Sequence, residues 1–315
     1  MLTPGMIHFL DKSFIFTGSQ SLPFPEILIR EIGVVARQQL SGIQRAAILG
    51  VTSRGVFLKL ESGWVIFISR ETFRGPLTLN LVGDATGLMR LDNGQPATIT
   101  SGGIFFPRSG LVINYAQARE WEAAVPAEAS IPQGQHQERL FQVCRLALAR
   151  RQGSLLSALL PILLGIESAP SSMDNSPLPL LQHLEKSLGE RQAAAIVAGI
   201  DALLGLGSGL TPAGDDLAAG LLLSLVRWGH LLAPGLDGRA LGREVMRLAY
   251  RKTTTLAANL IECAAQGQAN ERLLISLDGM MTGQTDPVTC ARYLADWGHT
   301  SGLDALLGMA LVLIA

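Results

Sequence analysis

"GLGSGLTPAGDDLAAGLLLSLV", residues 205–226, sets three alternating glycines, a serine, a threonine and a proline ahead of two adjacent aspartates and an apolar run. From Leu217 onward the run is apolar on every face. A soluble protein accommodates such a helix only by burying it on all sides, so its N-terminal end is expected to be interior too. Thr211 suits an N-cap and Pro212 a first helical position, which places Asp215 and Asp216 in the second turn, about 100° apart around the axis. Gly205, Gly207 and Gly209 let the backbone turn tightly and aim amides at one point, the arrangement that holds a phosphate or carboxylate at a helix start. The same residues also suit a plain inter-helix turn, with the aspartates complementing the helix dipole by about 0.3–1 kcal/mol. One aspartate would serve the dipole. Two carboxylates beside a buried helix end call for a partner: a metal ion, a basic side chain or an N–H donor of a substrate.

Outward from this stretch the chain is Ala- and Leu-rich with helical period. Helices are expected over Gln137–Gln152, Ser154–Leu164, Pro179–Leu188, Glu190–Leu204, Pro212–Trp228, Arg239–Tyr250, Thr254–Gln266, Glu271–Met281, Asp286–Trp297 and from Gly302 to the end. Between the second and third, residues 167–177 form a polar loop suited to covering a site. Up to about Tyr115 the texture is that of short strands. Val56–Glu61 and Trp64–Ser69 flank Ser62-Gly63 as a hairpin, and Leu77–Val82, Ala97–Thr100, Gly103–Phe106 and Leu111–Tyr115 follow at short spacing. Val125 to Gly134 reads as a Pro, Ala and Gly linker. The expected fold is therefore α+β: an N-terminal antiparallel β barrel or sandwich over residues 1–125, followed by a mostly α-helical C-terminal domain over 136–315.

Composition narrows the partners. With 25 Lys plus Arg against 26 Asp plus Glu and a net charge of -1, no surface tracks phosphates, so nucleic acid is not an expected partner. The three cysteines, Cys144, Cys263 and Cys290, are far apart and odd in number, as in a reduced cytoplasmic protein. The sequence MLTPGMIHFLDKSF lacks the basic and apolar regions of a signal peptide, and no segment has the length and flanks of a membrane span.

Two further helix starts repeat the pattern. Gly298-His299-Thr300-Ser301-Gly302-Leu303-Asp304 precedes an uncharged run to Ala315, with Thr300 or Ser301 able to cap and Asp304 placed as the acid of a capping box. His299 by itself reads more readily as a hydrogen-bonded core residue than as a catalyst. Tyr250-Arg251-Lys252-Thr253-Thr254-Thr255 sets two cations beside three hydroxyls, either an anion site or a Thr cap following the basic end of the preceding helix. Familiar signatures are missing: no Walker lysine follows the glycines, Ser208 has no Gly-x-Ser-x-Gly context, and the five histidines form no metal cluster with cysteines. Leu210 stands where a dinucleotide fingerprint needs its third glycine.

The strings GLGSGLTPAGDDLAAGLL, TTTLAANLIECAAQGQANERLL and GHTSGLDALLGM, in that order, resemble the AllH-like family, which includes one subunit of bacterial oxamate carbamoyltransferase. The resemblance covers about residues 200–310. It implies a part in purine and allantoin nitrogen catabolism, in which oxalurate and phosphate exchange to oxamate and carbamoyl phosphate, within a complex that includes an FdrA-like subunit similar to succinyl-CoA synthetase. It carries over no assignment of catalytic residues.

Carbamoyl transfer needs a held anion, a polarised carbonyl and a protonated leaving nitrogen, and no redox cofactor. On this reading Gly207, Ser208, Gly209 and Thr211 hold an anionic group, and Asp215 or Asp216 binds the carbamoyl NH2 or a divalent metal. Thr300, Ser301 and Asp304 line the opposite wall, while Thr253 joins the anion site and Arg251 or Lys252 supplies charge. Two alternatives stand beside it: a non-catalytic ligand-binding or scaffold subunit of such a complex, and an ATP-dependent carboxylase or ligase component, which the missing phosphate-binding lysine disfavours.

Overall fold

A computed structural model of the chain describes residues 25–83, 86–126, 131–168 and 176–315, except the side chain of Gln133. The N-terminal segment read above and parts of the expected linker and polar loop lie outside the described residues. The chain divides into two compact units, Met1–Glu122 and Ala123–Ala315.

The first unit is a barrel. Its strands are β1 (Glu26–Gly33), β2 (Gln44–Thr52), β3 (Gly55–Leu60), β4 (Val65–Ser69), β5 (Thr78–Leu81), β6 (Pro96–Thr100), β7 (Gly103–Phe106), β8 (Leu111–Asn114) and β9 (Arg119–Trp121). They run in the order β5-β4-β3-β2-β6-β7-β8-β1-β9, and β1 also pairs with β5, which closes the first eight into a barrel. Along β1, β8 covers Glu26–Leu28 and β9 covers Glu31–Gly33. Period-two patterning decides what fills the interior: the cross-strand pairs Val56↔Ile68, Leu58↔Ile66 and Ile99↔Ile104 are all buried, while Phe57 and Phe67 between them face the other way with ring centroids 4.5 Å apart. The hairpin series β2-β3-β4 and β6-β7-β8 is antiparallel as expected, but β1–β8, β1–β9 and β4–β5 are parallel. Side-chain alternation reports which face a residue takes and carries nothing about strand direction.

A short helix, α1 (Val34–Gln39), follows β1. It is held by Arg37, whose guanidinium donates to the carbonyls of Ala118 at 2.5 Å and Tyr115 at 3.3 Å. The Tyr115 hydroxyl lies 3.1 and 3.0 Å from the carbonyls of Leu40 and Thr100, and burial pushes its pKa up to about 12.

The second unit is helical among the described residues: α2 (Gln133–Arg150), α3 (Leu160–Leu163), α4 (Leu178–Gly189), α5 (Ala193–Leu203), α6 (Ala213–Leu232), α7 (Gly238–Lys252), α8 (Thr255–Ala264), α9 (Glu271–Thr282), α10 (Pro287–Ala295) and α11 (Ser301–Ile314). The two helices without an exposed apolar-free face, α6 and α11, form its centre, buried through Ala213–Leu225 and Gly302–Leu313 respectively. Their backbones meet. A Cβ built on Gly220 of α6 would stand 2.0 Å from the carbonyl oxygen of Ala305 on α11, and one on Gly308 of α11 would stand 2.0 Å from that of Leu217 on α6. This crossing lies just inside both helix starts, immediately after Asp216 and Asp304 in the two chains of residues.

The buried Arg227 of α6 is fully used within the unit. Its Nη2 lies 2.6 Å from Asp278 Oδ2, its Nε donates to Oδ1 at 3.2 Å and Nη1 donates to the Gly267 carbonyl at 3.2 Å, while Trp228 Nε1 donates to Asp278 Oδ1 at 2.8 Å.

Gly220→Ala and Gly308→Ala are each expected to destabilise the helical unit by about 3 kcal/mol, because the added methyl meets fixed backbone rather than a movable side chain. Denaturant unfolding checks this, and an unchanged midpoint in both variants would contradict the close crossing.

Candidate functional site

The starts of α6, α8 and α11 come together, and hydroxyls tie them. Thr211 Oγ1 and Ser301 Oγ are 3.1 Å apart, joining α6 to α11. Thr254 Oγ1 donates to the Leu210 carbonyl at 2.5 Å, joining α8 to the glycine loop. Thr253, the residue after α7, donates its hydroxyl to Asp215 Oδ2.

The details of the helix starts differ from the sequence expectation. Pro212 rather than Thr211 occupies the N-cap of α6, which moves Asp215 and Asp216 from the second turn to the first and leaves Thr211 free to reach α11. Thr300 caps α11 by backbone position only, and Asp304 makes no capping box: its Oδ1 accepts instead from the Ser154 hydroxyl. Thr254 does cap α8, accepting from Ala257 N at 3.1 Å, so Arg251 and Lys252 belong to the basic last turn of α7. His299 is exposed rather than a core residue.

Three carboxyls are thereby enclosed: Asp215 is 1 % exposed, Asp216 2 % and Asp304 0 %. Their environments are unequal. Asp215 is occupied at both oxygens, with Oδ1 accepting from the Gly205 amide at 2.9 Å and Oδ2 from Thr253. Burial raises its pKa, and those two donors oppose the rise. Asp304 is also raised by burial, against the Ser154, Ser157 and Thr300 hydroxyls, and its Oδ2 is buried with no hydrogen-bond partner. Asp216 is pushed furthest, well above the ordinary carboxylate range. Burial dominates, the Ser301 and Thr211 hydroxyls oppose it, and the charges of Asp304 and Asp215 add to it. Its Oδ2, too, is buried without a partner. Among the described residues no Lys, Arg or His forms an ion pair with any of the three.

The sequence-derived cations are not assembled here. Lys252 Nζ sits 2.6 Å from Asp201 Oδ1 on α5, and Arg251 is exposed at the end of α7. Among the described residues no group of three or more His, Cys, Asp or Glu is arranged to hold a metal ion, so the metal left open for the aspartate pair has no such donor set there.

Gly207, Ser208 and Gly209 are exposed, and none of their amides donates a hydrogen bond among the described residues. Gly207 at φ +122° and Gly209 at φ +101° hold a conformation that an L side chain strains to reach. The loop is apolar at its flanks, with Leu206 44 % and Leu210 42 % exposed. Ser154 was not singled out by its sequence context. A hydroxyl ahead of an apolar run signals a local turn, which Ser154 also makes by accepting from Leu156 N at 3.0 Å, but nothing local points to a partner 150 residues away.

Folding takes up protons wherever a carboxyl is raised, so the contribution of these aspartates is fully present below the ordinary carboxylate range and is lost as pH climbs through their folded values. The unliganded protein is expected to be more stable at mildly acidic than at neutral pH, and Asp216→Asn to flatten that dependence and raise the neutral-pH Tm by about 2–4 °C. Thermal unfolding across pH checks both, and a lowered Tm at neutral pH would contradict them. Thr253→Val has the opposite expected effect, removing a donor from buried Asp215 at a cost of about 1–3 kcal/mol in denaturant unfolding.

No solved structure matches the chain. Among the described residues no helix is long and apolar enough to cross a membrane. Residues 203–313, which hold the glycine loop, all three aspartates and the starts of α6, α8 and α11, match the family described as oxamate carbamoyltransferase subunit AllH.

Proposed function

We propose that the chain is a subunit of a carbamoyltransferase-type complex that exchanges oxalurate and phosphate for oxamate and carbamoyl phosphate, and that its site is the convergence of the α6, α8 and α11 starts. The observation that carries this reading is a set of three buried carboxyls with which no cation pairs among the described residues, inside the stretch that matches the family. Such groups are costly in an unliganded fold, and a role with a ligand accounts for keeping them.

The chemistry balances without a redox step. An oxygen of hydrogen phosphate attacks the terminal carbamoyl carbon of oxalurate, the bond from that carbon to the bridging nitrogen breaks, and the nitrogen takes a proton to become the amide of oxamate. A carboxyl held in its acid form at neutral pH gives that proton and regains one from the attacking phosphate. The free amides of Gly207–Gly209 suit the carboxylate of oxalurate.

Among the described residues the positive charge that phosphate calls for is not gathered at the site, since Lys252 is engaged by Asp201 and Arg251 lies exposed. We assign that charge to a partner subunit, an FdrA-like chain being the expected one. The same observation favours a second reading, in which this chain binds the ligand and the partner performs the chemistry. Its three cysteines are unbonded and buried, which suits a reducing cytoplasm.

Carbamoyl phosphate formation from oxalurate and phosphate, by the chain alone and with its partner subunits, tests the proposal. The assembled complex is expected to be active, and Asp216→Asn, which cannot give up a proton, in an intact complex to lower kcat by about 100-fold or more. Unchanged turnover with Asp216→Asn leaves the ligand-binding reading, and no turnover by any wild-type combination removes the proposed reaction.

A further inference from the structure

The three aspartates divide into two kinds. Asp215 has both oxygens engaged by protein donors, and it fixes the loop, through Gly205, to the end of α7, through Thr253. Asp216 and Asp304 each keep one buried oxygen, Oδ2, with no protein partner, on two helices whose backbones meet where Gly220 faces the Ala305 carbonyl and Gly308 the Leu217 carbonyl. Two orphaned, fully enclosed acceptors at one place mark a ligand contact.

We infer that Asp216 and Asp304 form the ligand-binding pair, that they take the uncharged amide or ureido end of a short molecule, and that its anionic end lies outward at Gly207–Gly209. This inference rests on the site proposed above and adds the division of labour, the class of group and the direction in which it sits.

An anion is disfavoured at the inner end, where three buried carboxyls are gathered and, among the described residues, no cation pairs with them. An ammonium ion would suit two ionised carboxylates, but the pair is not placed to be doubly ionised. Burial raises both carboxyls, Asp216 further, and the hydroxyls of Ser154, Ser157 and Thr300 offset it at Asp304, so Asp304 is the one of the pair to ionise first and its charge adds to burial in favouring the acid form of Asp216. One acid and one carboxylate offer one donor and one acceptor side by side, which complements the C=O and N–H of a primary amide. Exposure increases from Asp216 through half-buried Thr211 and Ser301 to exposed Gly207, Ser208 and Gly209, whose amides are free to meet an anion. Asp215 is a positioning residue on this account.

Calorimetric titration of the full chain tests the inference with three probes of similar size. Oxamate carries an amide and a carboxylate, oxalate replaces the amide by a second carboxylate, and glycine replaces it by an ammonium group. Oxamate is expected to bind at least about tenfold more tightly than either. Asp216→Asn, which imitates the acid form, is expected to bind oxamate within about threefold of wild type, and Asp304→Asn to lose about tenfold or more, both with cooperative unfolding retained. Absence of oxamate binding by the wild-type chain overturns the inference, as does oxalate or glycine binding as tightly as oxamate. Loss of binding in Asp216→Asn with retention in Asp304→Asn overturns the assignment of acid and carboxylate. Carbamoyl phosphate formation by the complex together with equal binding of oxamate and oxalate would remove this inference and leave the proposed reaction standing.

Discussion

Burying three carboxyls that pair with no cation among the described residues is the constraint around which the helical unit is arranged. Each carboxyl could be satisfied cheaply at the surface, and the fold instead draws them to where two apolar helices begin. Hydroxyls and one backbone amide carry the compensation: Thr253 and Gly205 for Asp215, Ser154 for Asp304, and the Thr211–Ser301 pair beside Asp216. This is incomplete, because two Oδ2 atoms stay unpaired. A polar cluster left partly satisfied inside an otherwise apolar unit is destabilising in the free protein and becomes favourable once a ligand supplies the missing partners.

The placement depends on glycine in two different ways. Gly220 and Gly308 allow α6 and α11 to cross backbone to backbone, and this brings Asp216 and Asp304 to neighbouring helix starts. Gly207 and Gly209 shape the loop ahead of α6 so that its amides are turned away from the helix ladder. Packing thus fixes the carboxyl cluster between two buried helices, while the loop ahead of α6 is exposed with Leu206 and Leu210 on its flanks.

Much of this could be read from the residues. The charge-free runs after Asp216 and Asp304 announce buried helices, and the hydroxyl, glycine and carboxylate pattern at both starts marks residues that the fold brings together. The α+β division follows from alternation up to Tyr115 and helical period beyond it. What could not be read is what depends on distant pairing. Thr253, read as part of an anion site, serves Asp215, and Lys252 turns to Asp201 one helix away. Ser154 meets Asp304 across 150 positions of chain. In the barrel, β1 and β2 carry an alternation that the reading passed over, while α1 has no side-chain cap to announce it. The parallel pairing of β4 with β5 depends on a connection whose direction alternation does not encode.

The central claim is that Asp216 holds a proton at neutral pH in a site built to receive a ligand. Carbon-13 NMR of the aspartate carboxyl groups, followed from acidic to basic pH with and without oxamate, tests it most directly. The account predicts that Asp216 stays in its acid form well above the ordinary carboxylate range, that Asp304, also raised by burial, ionises before Asp216, and that oxamate moves both while Asp215 changes little. Titration of Asp216 in the ordinary range, with no response of either resonance to oxamate, would contradict it.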